Sequence, residues 1–154
     1  MPVLGTLQQG SSLYRNKGKQ CMGNSLAAFT HHEPKPASTW DSSNIDTILI
    51  IGDNLHTKLF KHSSVTYPKM SDFPMKCEIS GYEVDIHNGD SYFGLLDSTE
   101  DCPPYFCPKT SLSMISKLAV LIASAIMKNE NKFYIFDPHS RSVDGMACSE
   151  GLQF

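Results

Sequence analysis

The chain reads as a single α+β domain over residues 1–154, with two helical regions leading, short strands following, and a further helix before a last strand. Three features carry that expectation. Apolar residues recur at helical spacing between Cys21 and Phe60. Tyr82, Val84 and Ile86 alternate with Glu83 and Asp85, as in a half-buried strand. The run KFYIF at Lys132–Phe136 is aromatic and β-branched. With 40% apolar and 19% charged residues, the composition is that of an ordinary soluble globular domain with enough chain to bury a core.

The same composition excludes several classes. A net charge of -3 leaves no basic footprint for nucleic acid. No apolar run approaches a membrane span, and MPVLGTLQQG lacks the basic-then-apolar order of a secretion signal. The five cysteines (Cys21, Cys77, Cys102, Cys107 and Cys148) are an odd number. Without a signal they are expected as thiols in a reducing intracellular compartment, the cytoplasm, in a monomeric protein.

Residues 1–20 hold Gly5, Gly10, Gly18 and the pair Gln8-Gln9, and read as a loop or short strand approaching Cys21. A helix is expected over Cys21–His32: Leu26, Ala27, Ala28 and Phe29 favour it although Asn24 and Ser25 do not, and Glu33-Pro34-Lys35-Pro36 stops it. A second helical region follows, capped by Ser42 or Ser43, with Ile45, Ile48, Leu49, Leu55, Leu59 and Phe60 in period and a kink or join at Gly52-Asp53. Residues 63–76 read as a loop. Strands are expected at Glu78–Ile79, Tyr82–Ile86 and Ser91–Leu96, with Asn88-Gly89-Asp90 as a hairpin turn. In STEDCPPYFCPKT, Cys102 and Cys107 lack a second Cys/His pair, so no metal site is expected. Thr110–Met127, apolar nearly all round, reads as the clearest helix. KFYIF then runs as a strand into Asp137-Pro138-His139, and SRSVDGMACSEGLQF as a turn and a last short strand.

Chemistry is suggested by three places in this plan. Cys21 opens a helix, where partial positive charge lowers a thiol's pKa. Asp137 and His139 stand two apart at a strand end, so both side chains point to one side and Pro138 holds Asp137 extended. The carboxylate can orient the ring while its other nitrogen faces a thiol. A glutamine upstream of the cysteine can donate into an oxyanion hole. Each alone has a plainer reading: a buried structural cysteine, a strand-end turn, a solvated loop amide. Together they follow the papain-like order of roles. The other histidines fit less well: His31 and His32 are one helix length, about 15 Å, from Cys21, His56 and His62 lie on the second helical region, and His87 lies beside a turn.

QGSSLYRNKGKQCMGNSLAAF followed by FYIFDPHSR resembles the deubiquitinase domain of herpesvirus large tegument proteins, and the related tegument-type deubiquitinases of eukaryotes and bacteria. The resemblance covers most of the chain and is sharpest at its two ends. It implies a papain-like cysteine protease fold, with a helical part carrying the cysteine packed on an antiparallel sheet carrying the aspartate and histidine. It implies hydrolysis of isopeptide bonds at the ubiquitin C-terminus. Cys21 would be the nucleophile, His139 the general base, Asp137 its orienting carboxylate and Gln9 the oxyanion donor. The gap from Gln9 to Cys21 is shorter than in viral members, which keeps Gln8 as the alternative. Ubiquitin's Gly-Gly tail needs a narrow channel, for which Tyr14, Tyr92 and the glycines near Cys21 are candidates. Ubiquitin or polyubiquitin is the implied partner, with no cofactor. The alternatives are a papain-like peptidase for another ubiquitin-like modifier, a general peptidase or acyltransferase, and a non-catalytic ubiquitin-binding module. A redox thiol protein is disfavoured by the lack of a C-x-x-C pair.

Overall fold

The computed structural model describes residues 3–87, 115–117, 122–129 and 131–139. Among these are two α-helices, α1 (Cys21–His32) and α2 (Ser42–Phe60), and five strands: β1 (Lys76–Ile79), β2 (Tyr82–Asp85), β3 (Ile115–Lys117), β4 (Ile122–Asn129) and β5 (Lys132–Phe136). β1 and β2 form an antiparallel hairpin, and β3-β4-β5 an antiparallel sheet in that order.

α1 starts and stops where its sequence predicts, and it is the central element. Its first eight residues, Cys21 to Ala28, are all buried. Ala27 and Ala28 join a core with Trp40, Ile48, Met127 and Phe136, while Met22 and Leu26 join a second core with Leu55, Phe60, Phe73 and Ile79. A helix buried on both sides is stabilised by packing rather than propensity, which is why Asn24 and Ser25 are tolerated in it. Trp40 ties the end of α1 to β5. Its ring meets His31 at 5.6 Å and Phe136 at 6.4 Å edge-on, and its Nε1 donates to the Lys35 carbonyl at 2.8 Å.

α2 departs from expectation in two ways. Its cap is Asp41, one residue before the serines: the carboxylate accepts the Asn44 N–H, and the Asn44 side chain accepts the Asp41 N–H. It also runs unbroken through Gly52-Asp53. Gly52 serves packing, not a kink. A Cβ there would lie 2.5 Å from the Asn24 Cα and 2.6 Å from its nitrogen, and one on Gly23 would lie 2.7 Å from the Gly52 carbonyl oxygen. Two facing glycines therefore let the helix backbones touch.

The hairpin turn of β1 and β2 is Ser80-Gly81, with φ of 54° and 82°, the paired positive angles of a two-residue type I′ turn. The turn expected at Asn88-Gly89-Asp90, the strand at Ser91–Leu96, the segment with Cys102 and Cys107, and the final segment from Ser140 with Cys148 lie outside the described residues.

The helix expected over Thr110–Met127 is corrected: Ile115–Lys117 and Ile122–Asn129 are strands. β4 is the middle strand of its sheet, and Ala125 and Met127, alternating along it, are fully buried where α1 packs on it. A central strand covered by a helix carries apolar residues at nearly every position, so the 3.6-residue pattern read there was an accident of composition. β5 forms as predicted, with Phe136 opposite Ala125 and Tyr134 opposite Met127. Among the described residues, no helix is long and apolar enough to cross a membrane.

Candidate active site

Phe136, buried against Trp40, fixes the end of β5. Just beyond it, the Asp137 carboxylate does two things with one oxygen. Oδ1 accepts the His139 backbone N–H at 3.0 Å and lies 2.6 Å from His139 Nδ1. The side-by-side placement expected from strand alternation is thus made by a tight turn past the strand, with Pro138 at its middle. A proton on Nδ1 is held by the carboxylate, which leaves Nε2 with its lone pair as the basic nitrogen. Both side chains are mostly shielded from water.

Cys21 is the first residue of α1 and is 7% exposed. The helix start has no side-chain cap and no acidic residue in its first turn. The partial positive charge of a helix start favours negative charge there.

Between these segments lies the loop that carries Gln9, held by α2. Asp46 and Asp53 stand seven residues apart, two turns along one helix face. The Asp46 carboxylate accepts the N–H groups of Thr6 at 2.8 Å and Leu7 at 3.0 Å. The Asp53 carboxylate accepts those of Arg15 at 3.2 Å and Asn16 at 2.9 Å. Within the clamped loop the Gln9 N–H donates to the Pro138 carbonyl at 3.0 Å, and the Gln9 carbonyl accepts the Gly18 N–H at 3.0 Å and the Gln20 side-chain amide at 2.9 Å. Gly18 has φ of 73°, a backbone state that favours glycine. The backbone of one residue, Gln9, thereby joins the turn between Asp137 and His139 to the residue before Cys21.

The two candidate glutamines are treated differently. Gln8 folds back on its own loop, its Oε1 accepting the Gly10 N–H at 2.7 Å. Gln9 is 6% exposed, and its Oε1 is buried with no hydrogen-bond partner among the described residues. Tyr14, expected along a substrate channel, is a core residue, 7% exposed and packed in the cluster of Ala27, Ile48 and Met127. Its pKa is pushed up to about 12, first by burial and then by the carboxylates of Asp46 and Asp53. Tyr92 lies outside the described residues. His31 and His32 sit against Trp40. His56 is buried on α2, where burial lowers its pKa against the pull of Asp53. It lines a cleft of about 330 Å³ with Arg15, Asn16, Lys19 and Lys61, formed by α2, the loop before Cys21 and the segment that follows α2. Among the described residues, no group of three or more His, Cys, Asp or Glu side chains is arranged to hold a metal.

Sequence reasoning missed Asp46, Asp53 and Gln20. The aspartates left a faint signal, two carboxylates at a seven-residue spacing in an amphipathic helix. Gln20 left none beyond its place next to Cys21.

Residues 5–153 match the family of the herpesvirus tegument protein, N-terminal conserved region. Among solved structures, the chain is similar to the ubiquitin-specific protease encoded by murine cytomegalovirus tegument protein M48, crystallised in complex with a ubiquitin-based suicide substrate. The TM-score is 0.61 at 16% identity, covering 93% of this chain and 70% of that one. That likeness extends the α+β architecture to a known protease fold. No curated protein sequence matches the chain.

Proposed function

The chain belongs to the family of the herpesvirus tegument protein N-terminal conserved region, and on that footing we propose that it is a cysteine-type deubiquitinase. Cys21 is the nucleophile, His139 the base, Asp137 the orienting carboxylate and Gln9 the oxyanion donor. The observation that carries this reading is the linkage from Asp137 and His139 through the Pro138 carbonyl and the Gln9 peptide to Gln20, next to Cys21. It ties the Gln9 loop and the start of α1 to a turn more than a hundred residues away, and each of the three bears one of the residue types that acyl transfer needs. The M48 protease, which shares the fold, takes a ubiquitin-based substrate, and this supports ubiquitin as the substrate here.

In this mechanism His139 Nε2 takes the proton of the Cys21 thiol, and the thiolate attacks the carbonyl carbon of ubiquitin's terminal glycine. The carbonyl oxygen becomes an oxyanion that accepts hydrogen bonds from the Gln9 side chain and the Cys21 backbone N–H. Donors of this kind are worth about 3 kcal/mol each. The intermediate collapses by breaking the C–N bond, and His139 gives its proton to the departing lysine amine. Water, losing a proton to His139, then cleaves the thioester, releasing ubiquitin's carboxylate and restoring the thiol. Asp137 stays ionised throughout and holds the imidazolium.

The test is turnover of a fluorogenic ubiquitin amide beside the same reporter on other ubiquitin-like modifiers. The wild-type protein is expected to prefer ubiquitin, and Cys21→Ala to lose turnover with its circular dichroism unchanged. A Cys21→Ala protein that still turns over would refute the assignment.

A further inference from the structure

Gln20 is fully buried, at 0% exposure. Taking a primary amide out of water is unfavourable unless its polar atoms are bonded. Its Oε1 accepts the Lys19 N–H at 3.0 Å and its Nε2 donates to the Gln9 carbonyl at 2.9 Å. Gln20 stands at the N-cap of α1, yet its side chain makes no cap bond. It turns away from the helix start, towards the loop opposite. The Gln9 backbone is engaged on the other side of its Cα as well, where its N–H donates to the Pro138 carbonyl.

We infer that Gln20 is a positioning residue of this site, a buried strut that fixes the Gln9 peptide against both the start of α1 and the turn carrying His139. Its chemical consequence rests on the deubiquitinase reading. The strut itself rests on the hydrogen bonds alone. A loose Gln9 backbone would carry its side chain away from the developing oxyanion, so Gln20 acts on the rate of acyl transfer through Gln9, without touching substrate.

Two variants test this. Gln20→Met keeps the length and removes both polar atoms. Gln20→Glu keeps the acceptor for Lys19 and removes the donor to Gln9. Hydrogen exchange of the Gln9 amide is expected to quicken by about tenfold or more in both, while α2 keeps its protection. Cleavage of a fluorogenic ubiquitin amide is expected to lose about ten- to a hundredfold in kcat with KM within about threefold. Alkylation of Cys21 by iodoacetamide, which builds no oxyanion, is expected to change by less than about threefold in Gln20→Met. In Gln20→Glu alone the kcat deficit narrows as pH falls towards about 5, because the protonated carboxyl is again a donor.

Unchanged Gln9 exchange overturns the inference whether or not the wild-type protein cleaves ubiquitin. Turnover and alkylation falling together, with α2 protection lost, overturns it too, by showing a general structural role. A wild-type protein inactive on ubiquitin, with Gln9 exchange still quickened in the variants, sinks the deubiquitinase reading and leaves the strut standing.

Discussion

At the scale of single residues, Asp137 does the most with one side chain. Its Oδ1 holds both the backbone and the ring of His139. Asp137→Asn presents an amide that can offer its NH₂ to Nδ1 and favour the wrong tautomer. The expected result is a loss of about 10²–10⁴-fold in kcat with little change in KM, read by steady-state kinetics. His56 makes a prediction about stability. Its folded pKa lies below the ordinary value of 6.5, chiefly through burial. The unfolded chain therefore takes up a proton before the folded one as pH falls. The stability contribution is complete above the unfolded pKa and is lost as pH drops through the lower, folded one. His31 shifts in the same direction for the same reason. Melting temperature should fall between about pH 7 and pH 5, and His56→Gln should shrink that fall. An equal fall in the variant would remove His56 as a source. Tyr14 belongs to the same scale. Its hydroxyl is buried without a hydrogen-bond partner among the described residues. Tyr14→Phe should raise stability by about 1 kcal/mol in urea titration, since the unpaired hydroxyl is costly to bury.

At the scale of elements, the crossing of α1 and α2 is decided by competing magnitudes. Alanine in place of Gly52 would gain about 1 kcal/mol of helix propensity. Its Cβ would meet Asn24 backbone atoms at 2.5 and 2.6 Å, which forces the helices apart. Such overpacking costs about 1–3 kcal/mol or more, so Gly52→Ala should lower the melting temperature. No change in melting temperature would contradict the close backbone approach. The elements also show what a sequence can and cannot disclose. α1 was legible because a compact apolar run follows Cys21 and Glu33-Pro34 breaks it. β5 was legible as an isolated aromatic and β-branched run. β4 was not, because a covered central strand loses the alternation that distinguishes it from a helix. The turn Ser80-Gly81, between two short runs that read as strands, went unremarked because Ser-Gly is a weaker turn signal than Asn-Gly.

At the scale of the whole molecule, the candidate site joins residues from both ends of the chain. The helix start at Cys21 and the strand end before Asp137 and His139 were readable because a residue type and an element boundary coincide at each. The hydrogen bonds that hold the Gln9 loop between those segments were not. Asp46, Asp53 and Gln20 act through backbone N–H and C=O groups, and a contact to the backbone imposes no residue type on its partner.

The central claim is that Cys21 is a nucleophile aimed at the ubiquitin C-terminus. Reaction with ubiquitin bearing a C-terminal electrophile, followed by mass mapping of the adduct, tests it most directly. The account predicts a single ubiquitin adduct on Cys21, lost in Cys21→Ala. An adduct on another cysteine, or none on a folded protein, would contradict it.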